Sequence, residues 1–277
     1  MARVSKPASR LRILIGAAIV AVVFLLGTSR ALPHLFPQVL RPLWGKLGAP
    51  LERDVPLALA DLPAVYYDGH DAGGPVAILL SGNGGWWGLC DKLASRLADE
   101  HVTTIGLNSL AYFVSHRTPA DAAADIKRMA AAVAPQRPIM LLGYSYGADV
   151  VATIYNELDA GLRARIQLVS LMGLTRDVNF GIGFWQVAAE TRKTAPAVAK
   201  ITGPAIQCFA GDEEGRKSAC HALDPRQVEI VELPGGHHFG GDYEALAQHV
   251  IDSWKRRVAV QIAPPGTSPG IPSPAPG

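Results

Sequence analysis

A short pattern in the middle of the chain has the residue types and spacing of an activated serine nucleophile. Residues 143–147 read Gly-Tyr-Ser-Tyr-Gly, a G-x-S-x-G pattern that follows one apolar run and precedes an apolar helical stretch. Such a serine lies on a tight turn between a strand and a helix. Glycines are needed two residues before and after it, because side chains there would collide. The turn exposes the hydroxyl, and the dipole of the following helix favours negative charge beside it. Ser145 is therefore the candidate nucleophile.

A general base for this serine is expected on a late loop of the domain. Residues 234–239 read Pro-Gly-Gly-His-His-Phe and follow an apolar run. The Gly-x-His-x-aromatic spacing favours His237 as the base, with Phe239 packing behind the loop. His238 is expected to be its neighbour, as a hydrogen-bonding or substrate-facing group.

The third member of a catalytic triad is an acid that orients the imidazole and stabilises its charged form. In chain order the acid lies between the serine and the histidine, after a strand. Residues 211–214 read Gly-Asp-Glu-Glu. The spacing G-x-x-acid selects Glu214, while Asp212 and then Glu213 remain alternatives. Three successive carboxylates can also form a solvated acidic loop, which is the simpler explanation for those that the triad does not use.

The oxyanion of an acyl-transfer intermediate needs backbone N–H donors, and glycines let the backbone approach it. Residues 81–87 read Ser-Gly-Asn-Gly-Gly-Trp-Trp and follow an early apolar run. We expect the donors to be the N–H groups of Asn83 and Tyr146. The loop lacks the Lys-Ser/Thr of a P-loop and the spacing of a dinucleotide fingerprint. Trp86 and Trp87 are predicted to line an apolar acyl or lipid pocket, although packing in the core explains them at least as well.

A carboxylate lies one helical turn beyond the nucleophile. Asp149 falls in the first turn of the predicted helix, where the helix dipole alone would favour it. The alternative is that it faces the site and binds a cationic group on the substrate. No pattern in the chain predicts a metal or another cofactor.

The elements that position these loops follow from short apolar runs alternating with amphipathic stretches. The runs predict strands at residues 75–80, 102–107, 138–142, 166–171, 205–209 and 228–233. The amphipathic stretches predict helices at residues 89–97, 119–134, 148–155 and 242–257. This order indicates the α/β-hydrolase fold, a mostly parallel central sheet with helices on both faces. Ligands of such sheets bind at the carboxyl ends of the strands, where the loops described above are expected to meet.

Composition and the two ends limit the class of protein. The 277 residues are 49% hydrophobic, with a formal net charge of +2 and scattered basic residues, which excludes a nucleic-acid-binding protein. Residues 1–31 predict a signal peptide, because four basic residues precede an uncharged run at 13–27 and a small-x-small site. The alternative is an uncleaved inner-membrane anchor at residues 13–27. Residues 32–55 predict a connector, residues 56–258 the domain, and residues 259–277 a disordered Pro-rich tail.

Three cysteines are present in the chain. In an oxidising compartment Cys208 and Cys220 could close a short loop and leave Cys90 as a buried thiol. The alternative is that all three are buried and reduced.

Taken together, four of these motifs resemble the bacterial virulence protein VirJ family, which includes the related AcvB proteins. They are Ser-Gly-Asn-Gly-Gly-Trp at 81–86, Gly-Tyr-Ser-Tyr-Gly-Ala-Asp at 143–149, Gly-Asp-Glu-Glu at 211–214 between two cysteines, and Gly-Gly-His-His-Phe at 235–239. The resemblance covers roughly residues 56–257. The chain is similar to a single VirJ domain with a signal sequence. The family pattern usually has Asp where this chain has Asn83, so a main-chain donor is retained there but a carboxylate is not.

The resemblance implies a periplasmic α/β-hydrolase that cleaves the aminoacyl ester of aminoacyl-phosphatidylglycerol, lysyl-phosphatidylglycerol in particular. It also implies the pairing of Cys208 with Cys220. The expected partners are a lipid or small-molecule ester substrate, the membrane surface and secretion-system proteins. Two other hypotheses stay open: a general periplasmic carboxylesterase or thioesterase, and a non-catalytic accessory protein of type IV secretion.

Overall fold

The computed structural model describes residues 55–115, 117–183 and 190–262. The predicted signal peptide or anchor, almost all of the predicted connector, and the predicted tail beyond residue 262 lie outside these residues. Within the described ranges, no helix combines the length and apolar character needed to cross a bilayer.

Nine strands and seven helices make up the described part of the chain, besides short 3-10 turns. The strands are β1 Ala64–Tyr67, β2 Val76–Leu80, β3 Thr103–Leu107, β4 Ile139–Tyr144, β5 Ile166–Met172, β6 Asp177–Asn179, β7 Thr191–Lys193, β8 Ala205–Gly211 and β9 Glu229–Leu233. The helices are α1 Leu89–Asp99, α2 Ser109–Phe113, α3 Pro119–Val133, α4 Tyr146–Glu157, α5 Ala160–Arg165, α6 Thr194–Val198 and α7 Tyr243–Ile262.

Seven of the strands form one sheet in the order β1-β3-β2-β4-β5-β8-β9. Strand β1 is antiparallel to β3, and every other neighbouring pair is parallel. Strands β6 and β7 form a separate antiparallel pair. The mostly parallel α/β-hydrolase sheet predicted from the sequence is therefore confirmed.

The sheet is buried on both faces, which explains why its central strands β2 and β4 are uninterrupted, fully buried runs. In β2, Ile78 belongs to one core cluster and Leu79 to the other, because successive side chains of a strand point to opposite faces. Helices α3 and α4 contribute to the first cluster, and helices α1 and α7 contribute to the second.

The sequence pattern does not predict β1, α2, α5, α6 or the β6–β7 pair, because each has seven residues or fewer and a weak period. The predicted tail boundary also needs correction. Helix α7 continues to Ile262, past the predicted start of the tail at residue 259. Residues 259–262 contain no proline or glycine, and the first proline that would stop the helix is Pro264.

The predicted loops all follow strands of the main sheet. Strands β2, β4, β8 and β9 end at Leu80, Tyr144, Gly211 and Leu233, immediately before or within the four motifs. Because these strands are parallel, the motifs meet at one edge of the sheet.

Candidate active site

Ser145 lies on a sharp turn between β4 and α4. Its backbone has φ 53° and ψ −120°, a conformation that a residue with a side chain rarely adopts. Its N–H donates to the carbonyl of Met172 at 2.7 Å, which ties the turn to the end of β5. This strained turn before a helix N-terminus is the geometry of a nucleophile elbow.

Backbone atoms require both glycines around Ser145, at Gly143 for the reason that the sequence suggested and at Gly147 for a different one. A Cβ on Gly143 would lie 2.5 Å from the carbonyl of Gly147, across the turn. A Cβ on Gly147 would lie 2.2 Å from the carbonyl oxygen of Leu80 at the end of β2. Because the obstructing atoms are backbone, no side-chain rearrangement could make room.

Ser145, His237 and Glu214 form one hydrogen-bonded chain. Ser145 Oγ lies 2.8 Å from His237 Nε2, and His237 Nδ1 lies 2.7 Å from Glu214 Oε1. The His237 side chain is 33% exposed, whereas that of Glu214 is 7% exposed. A carboxylate at this distance accepts a hydrogen bond from Nδ1–H. The neutral imidazole therefore carries its proton on Nδ1, and Nε2 can accept the serine proton. The structure therefore brings together a nucleophile, a base and an orienting acid.

The other two carboxylates of the acidic loop have different surroundings. Asp212 Oδ1 accepts the N–H of Gly235 at 2.8 Å and so holds the histidine loop rather than the imidazole. Glu213 is exposed, and its backbone N–H donates to the carbonyl of Gly235 at 3.0 Å. Of the three candidates, only Glu214 contacts His237 through its side chain.

His238 points to a different partner. Its Nδ1 lies 2.7 Å from Tyr144 Oη, and its ring centroid is 6.3 Å from that of Trp87. Burial raises the pKa of Tyr144 above its usual range, so this phenol stays protonated and can donate to the imidazole. His238 thus lies beside the triad, as expected, and faces the same cavity.

A cavity of about 250 Å³ opens beside the nucleophile. It is lined by residues 82–85, Trp87, Leu89, Tyr144, Ser145, His237, His238 and Tyr243. No carboxylate is among these described lining residues. The cavity is therefore mainly aromatic and glycine-rich, with the two imidazoles as its titratable polar groups besides the tyrosine hydroxyls.

The two residues predicted to hold an oxyanion both lie next to Ser145. Asn83 lines the cavity with the serine, and a Cβ on the preceding Gly82 would lie 3.3 Å from Ser145 Cβ. Tyr146 is the first residue of α4, and the first N–H groups of a helix have no acceptor within the helix. The N–H groups of these two residues remain the predicted donors to a charge that develops near Ser145 Oγ.

The prediction that Asp149 binds the substrate is wrong. Asp149 is 5% exposed, and its two oxygens accept the backbone N–H of Thr175 at 2.7 Å and the Thr175 hydroxyl at 2.8 Å. It does not line the cavity. Burial raises its pKa to about 7 against the opposing effect of the two hydrogen bonds.

The prediction that Trp86 lines the substrate pocket is also wrong. Trp86 is fully buried, and its indole N–H donates to Tyr67 Oη at 3.1 Å. A Cβ on Gly106 would lie 2.1 Å from its ring, so the glycine in β3 makes room for it. Trp87, to which the same prediction applies, is 51% exposed and lines the cavity.

The structure contains the disulfide between Cys208 and Cys220, with 5.5 Å between their Cα atoms. It closes the loop that carries Glu214, so the alternative of three reduced cysteines does not hold. Cys90 is buried and free, and burial raises the pKa of its thiol to about 12. Within the described ranges, no group of three His, Cys, Asp or Glu side chains could hold a metal ion.

A family model described as bacterial virulence protein (VirJ) matches residues 74–258, about two thirds of the chain. The chain belongs to the VirJ family. The matched range contains the whole Ser145–His237–Glu214 arrangement and the disulfide, so the family resemblance expected from the four motifs is confirmed.

Other comparisons support the fold of this VirJ-family protein. A sequence relative is probable cutinase 3 from Neosartorya fischeri, 33% identical over 101 residues, which is 33% of this chain and 46% of that protein. The chain thus spans about half the length of the curated relative it matches. Est1E from Butyrivibrio proteoclasticus is similar in structure at 15% identity, with a TM-score of 0.56, over 71% of this chain and 94% of that one. The esterase domain from a Rhodothermus marinus protein gives a TM-score of 0.52 at 14% identity, over 70% and 92%.

Two groups at the VirJ-family site have no counterpart in the sequence predictions. Tyr144 binds His238, and Thr175 binds Asp149. Tyr144 lies inside the G-x-S-x-G pattern, so its position gave a signal that it would be close to the serine. Thr175 follows β5, a strand end that carries none of the motifs, and nothing local marks it.

Proposed function

We propose that this protein is a carboxylic ester hydrolase that works through an acyl-enzyme on Ser145. One observation carries the proposal: Ser145 Oγ, His237 and Glu214 are joined by contacts of 2.8 and 2.7 Å on a strained strand-to-helix turn. This is the geometry in which a neutral imidazole can accept the serine proton as the oxygen attacks a carbonyl carbon.

The steps follow from the positions of the groups. His237 Nε2 accepts the proton of Ser145 Oγ, and Oγ forms a bond to the ester carbonyl carbon. The N–H groups of Asn83 and Tyr146 stabilise the oxyanion, while Glu214 stabilises the imidazolium. The imidazolium then gives its proton to the alcohol oxygen as the ester C–O bond breaks. Water, deprotonated by the same imidazole, then attacks the acyl carbon. The imidazolium returns its proton to Ser145 Oγ as the bond between Oγ and the acyl carbon breaks, which releases the carboxylic acid and regenerates the enzyme.

We further propose that the ester is the aminoacyl ester of aminoacyl-phosphatidylglycerol, with lysyl-phosphatidylglycerol as the first candidate. Support comes from VirJ-family membership and from Trp87, a half-exposed aromatic side chain at the cavity that suits a lipid–water interface. No carboxylate is found among the described residues that line the cavity, and Asp149 is bound to Thr175. We therefore propose that the lysyl ammonium lies outside this cavity.

The cellular setting belongs to the same proposal. An aminoacyl phospholipid is met at a membrane surface, and residues 1–31 have the pattern of an export signal, or residues 13–27 that of an anchor. We therefore propose a periplasmic enzyme that acts at the inner-membrane surface, where secretion-system proteins are further candidate partners.

The test compares the wild-type protein with Ser145→Ala on lysyl-phosphatidylglycerol vesicles, with release of free lysine as the measurement. We expect the variant to lose at least about 10⁴-fold in kcat, as serine hydrolases do without their nucleophile. A fluorophosphonate probe should label the wild-type protein and not Ser145→Ala, and lysyl-phosphatidylglycerol should slow the labelling. Equal lysine release by both proteins would refute the mechanism.

A broader ester specificity is the second candidate function, and the identity with probable cutinase 3 favours it. A panel of p-nitrophenyl esters and acyl thioesters, measured beside lysyl-phosphatidylglycerol, separates the two. Rapid hydrolysis of simple esters with no lysine release would indicate a general carboxylesterase or thioesterase. Absence of both activities and of probe labelling would instead indicate a non-catalytic accessory role.

A further inference from the structure

The last residue of β5 and the residues that follow it contact both the nucleophile and the base. We call residues 172–175 the support segment. The carbonyl of Met172 accepts the N–H of Ser145 at 2.7 Å. Gly173 lies against the imidazole of His237, since a Cβ built on this glycine would be 2.8 Å from His237 Cε1. A shift of the support segment would therefore move the nucleophile and the base relative to each other.

The far end of the support segment is held by a buried carboxylate. Asp149 accepts the N–H of Thr175 at 2.7 Å and the hydroxyl of Thr175 at 2.8 Å. Its own N–H donates to the carbonyl of Ser145 at 3.0 Å, so Asp149 is fixed to the same turn as the nucleophile. Between these two ends, the carbonyl of Leu174 accepts the N–H of Ala219, which lies in the disulfide-closed loop that carries the acid.

The surroundings of Asp149 disagree with the two simpler explanations for it. A residue placed only to favour the helix dipole gains that benefit at an exposed position, and does not need burial. A residue that binds a substrate cation needs a carboxylate oxygen that is accessible from the cavity. Asp149 is 5% exposed with both oxygens occupied, and burying a carboxylate is costly unless hydrogen bonds compensate for it.

We infer that Asp149 is a positioning residue that, through Thr175, holds the support segment against Ser145 and His237. The inference rests on the proposed function, because what it positions is the catalytic triad. Asp149 touches neither substrate nor reacting atoms. It acts on the distance between Ser145 Oγ and His237 Nε2, and small errors in such distances lower the rate of the chemical step more than they lower substrate binding.

The experiment compares four variants: Asp149→Ala, Asp149→Asn, Thr175→Val and Thr175→Ser. Asp149→Ala and Thr175→Val break the contact. Thr175→Ser keeps the hydroxyl. Asp149→Asn keeps the acceptor for the backbone N–H, and its amide can donate to the Thr175 hydroxyl, which can donate in turn to the Asp177 carbonyl 3.2 Å away. The measurements are kcat and KM for p-nitrophenyl acetate per folded molecule, and the rate of fluorophosphonate labelling.

We expect kcat and the labelling rate to fall by about 10-fold to 100-fold in Asp149→Ala and Thr175→Val, with KM changed less than about 3-fold. Asp149→Asn and Thr175→Ser should stay within about 5-fold of wild type. The matched control is Asp125→Ala, which removes another buried carboxylate on helix α3, the acceptor of Tyr112 Oη, at a position that does not line the cavity. It should lower stability while kcat per folded molecule is unchanged.

Two results would overturn the inference. One is an unchanged kcat per folded molecule in both Asp149→Ala and Thr175→Val. The other is an equal loss in Thr175→Val and Thr175→Ser, which would mean that the hydroxyl contact is not what matters. Failure of the proposed function looks different, because the wild-type protein would then hydrolyse no ester and would not react with the probe.

Discussion

Glu214 and His237 are joined by a contact of 2.7 Å between Oε1 and Nδ1, and the second carboxylate oxygen is occupied as well. Oε2 accepts the backbone N–H of Gly211 at 2.9 Å. Because both oxygens have partners, the carboxylate cannot rotate freely, and it fixes the orientation of the imidazole that faces Ser145. Of the three carboxylates in the acidic loop, only Glu214 orients the imidazole.

The identity of the acid gives the first prediction. Glu214→Gln should lower kcat by about 10³-fold to 10⁴-fold, because an amide can present a donor to Nδ1 and so favour the wrong imidazole tautomer. Steady-state hydrolysis of a p-nitrophenyl ester measures this. The matched control is Asp212→Asn, which retains an oxygen to accept the Gly235 N–H and should lose less than about 10-fold. A larger loss in Asp212→Asn than in Glu214→Gln would reverse the assignment.

The nucleophile turn gives the second prediction. Gly147→Ala should abolish activity and lower the melting temperature, because its Cβ would lie 2.2 Å from the carbonyl oxygen of Leu80. Gly161→Ala is a suitable comparison, since Gly161 is an exposed residue of α5 and the nearest obstruction to its Cβ is a side-chain oxygen of Asp159 at 3.3 Å. Thermal unfolding and probe labelling of both variants check this. Normal labelling of Gly147→Ala would contradict the close approach of β2 to the turn.

The buried carboxyl of Asp149 gives a prediction about pH. Its pKa is raised from 3.8 to about 7, so between these values the folded protein binds a proton that the unfolded chain has lost. The free energy of unfolding therefore falls as pH rises from about 4 to about 7, and this contribution is constant above that range. Asp149→Asn has no such group, so its free energy of unfolding should decline less than that of wild type across the same pH range.

The measurement is urea unfolding of both proteins at pH 5 and pH 8. Charged groups that act on Asp149 are His237, which favours ionisation, and Asp177, which opposes it and pairs with Lys193 at 2.7 Å. They are common to both proteins, so the difference between the two unfolding curves isolates Asp149. A difference that is the same at both pH values would show that its pKa is not raised.

The three cysteines give a fourth prediction. In denaturant without reductant, a thiol reagent should find one thiol per chain, Cys90, and after reduction it should find three. In the folded protein Cys90 should react far more slowly, because it is buried and burial raises its thiol pKa to about 12. Cys208→Ser together with Cys220→Ser should lower the free energy of unfolding by about 3 kcal/mol, the value expected for so short a loop. Three thiols in unreduced denatured protein would exclude the disulfide.

Much of the fold and the centre of the site could be predicted from local sequence. The buried strands of a parallel sheet are nearly continuous apolar runs, so β2 and β4 are visible without their neighbours, as are β5 and β8 despite a few polar residues within them. Ser145 is marked by its two glycines, which are required by backbone atoms within the same few residues and at the end of the adjoining strand. The parallel direction of the strands then brings His237 to the same edge.

What the sequence alone determined is thus the kind of site and its nucleophile, because those depend on backbone conformation and on apolar period, both of which are local. Which of several similar neighbours faces the site was decided only by tertiary structure. Glu214 contacts the imidazole, whereas Asp212 accepts the N–H of Gly235 instead. In the same way, Trp86 donates a hydrogen bond to Tyr67, and Asp149 accepts one from the Thr175 hydroxyl. Each of these partners comes from a distant part of the chain, so no pattern within one loop can specify it.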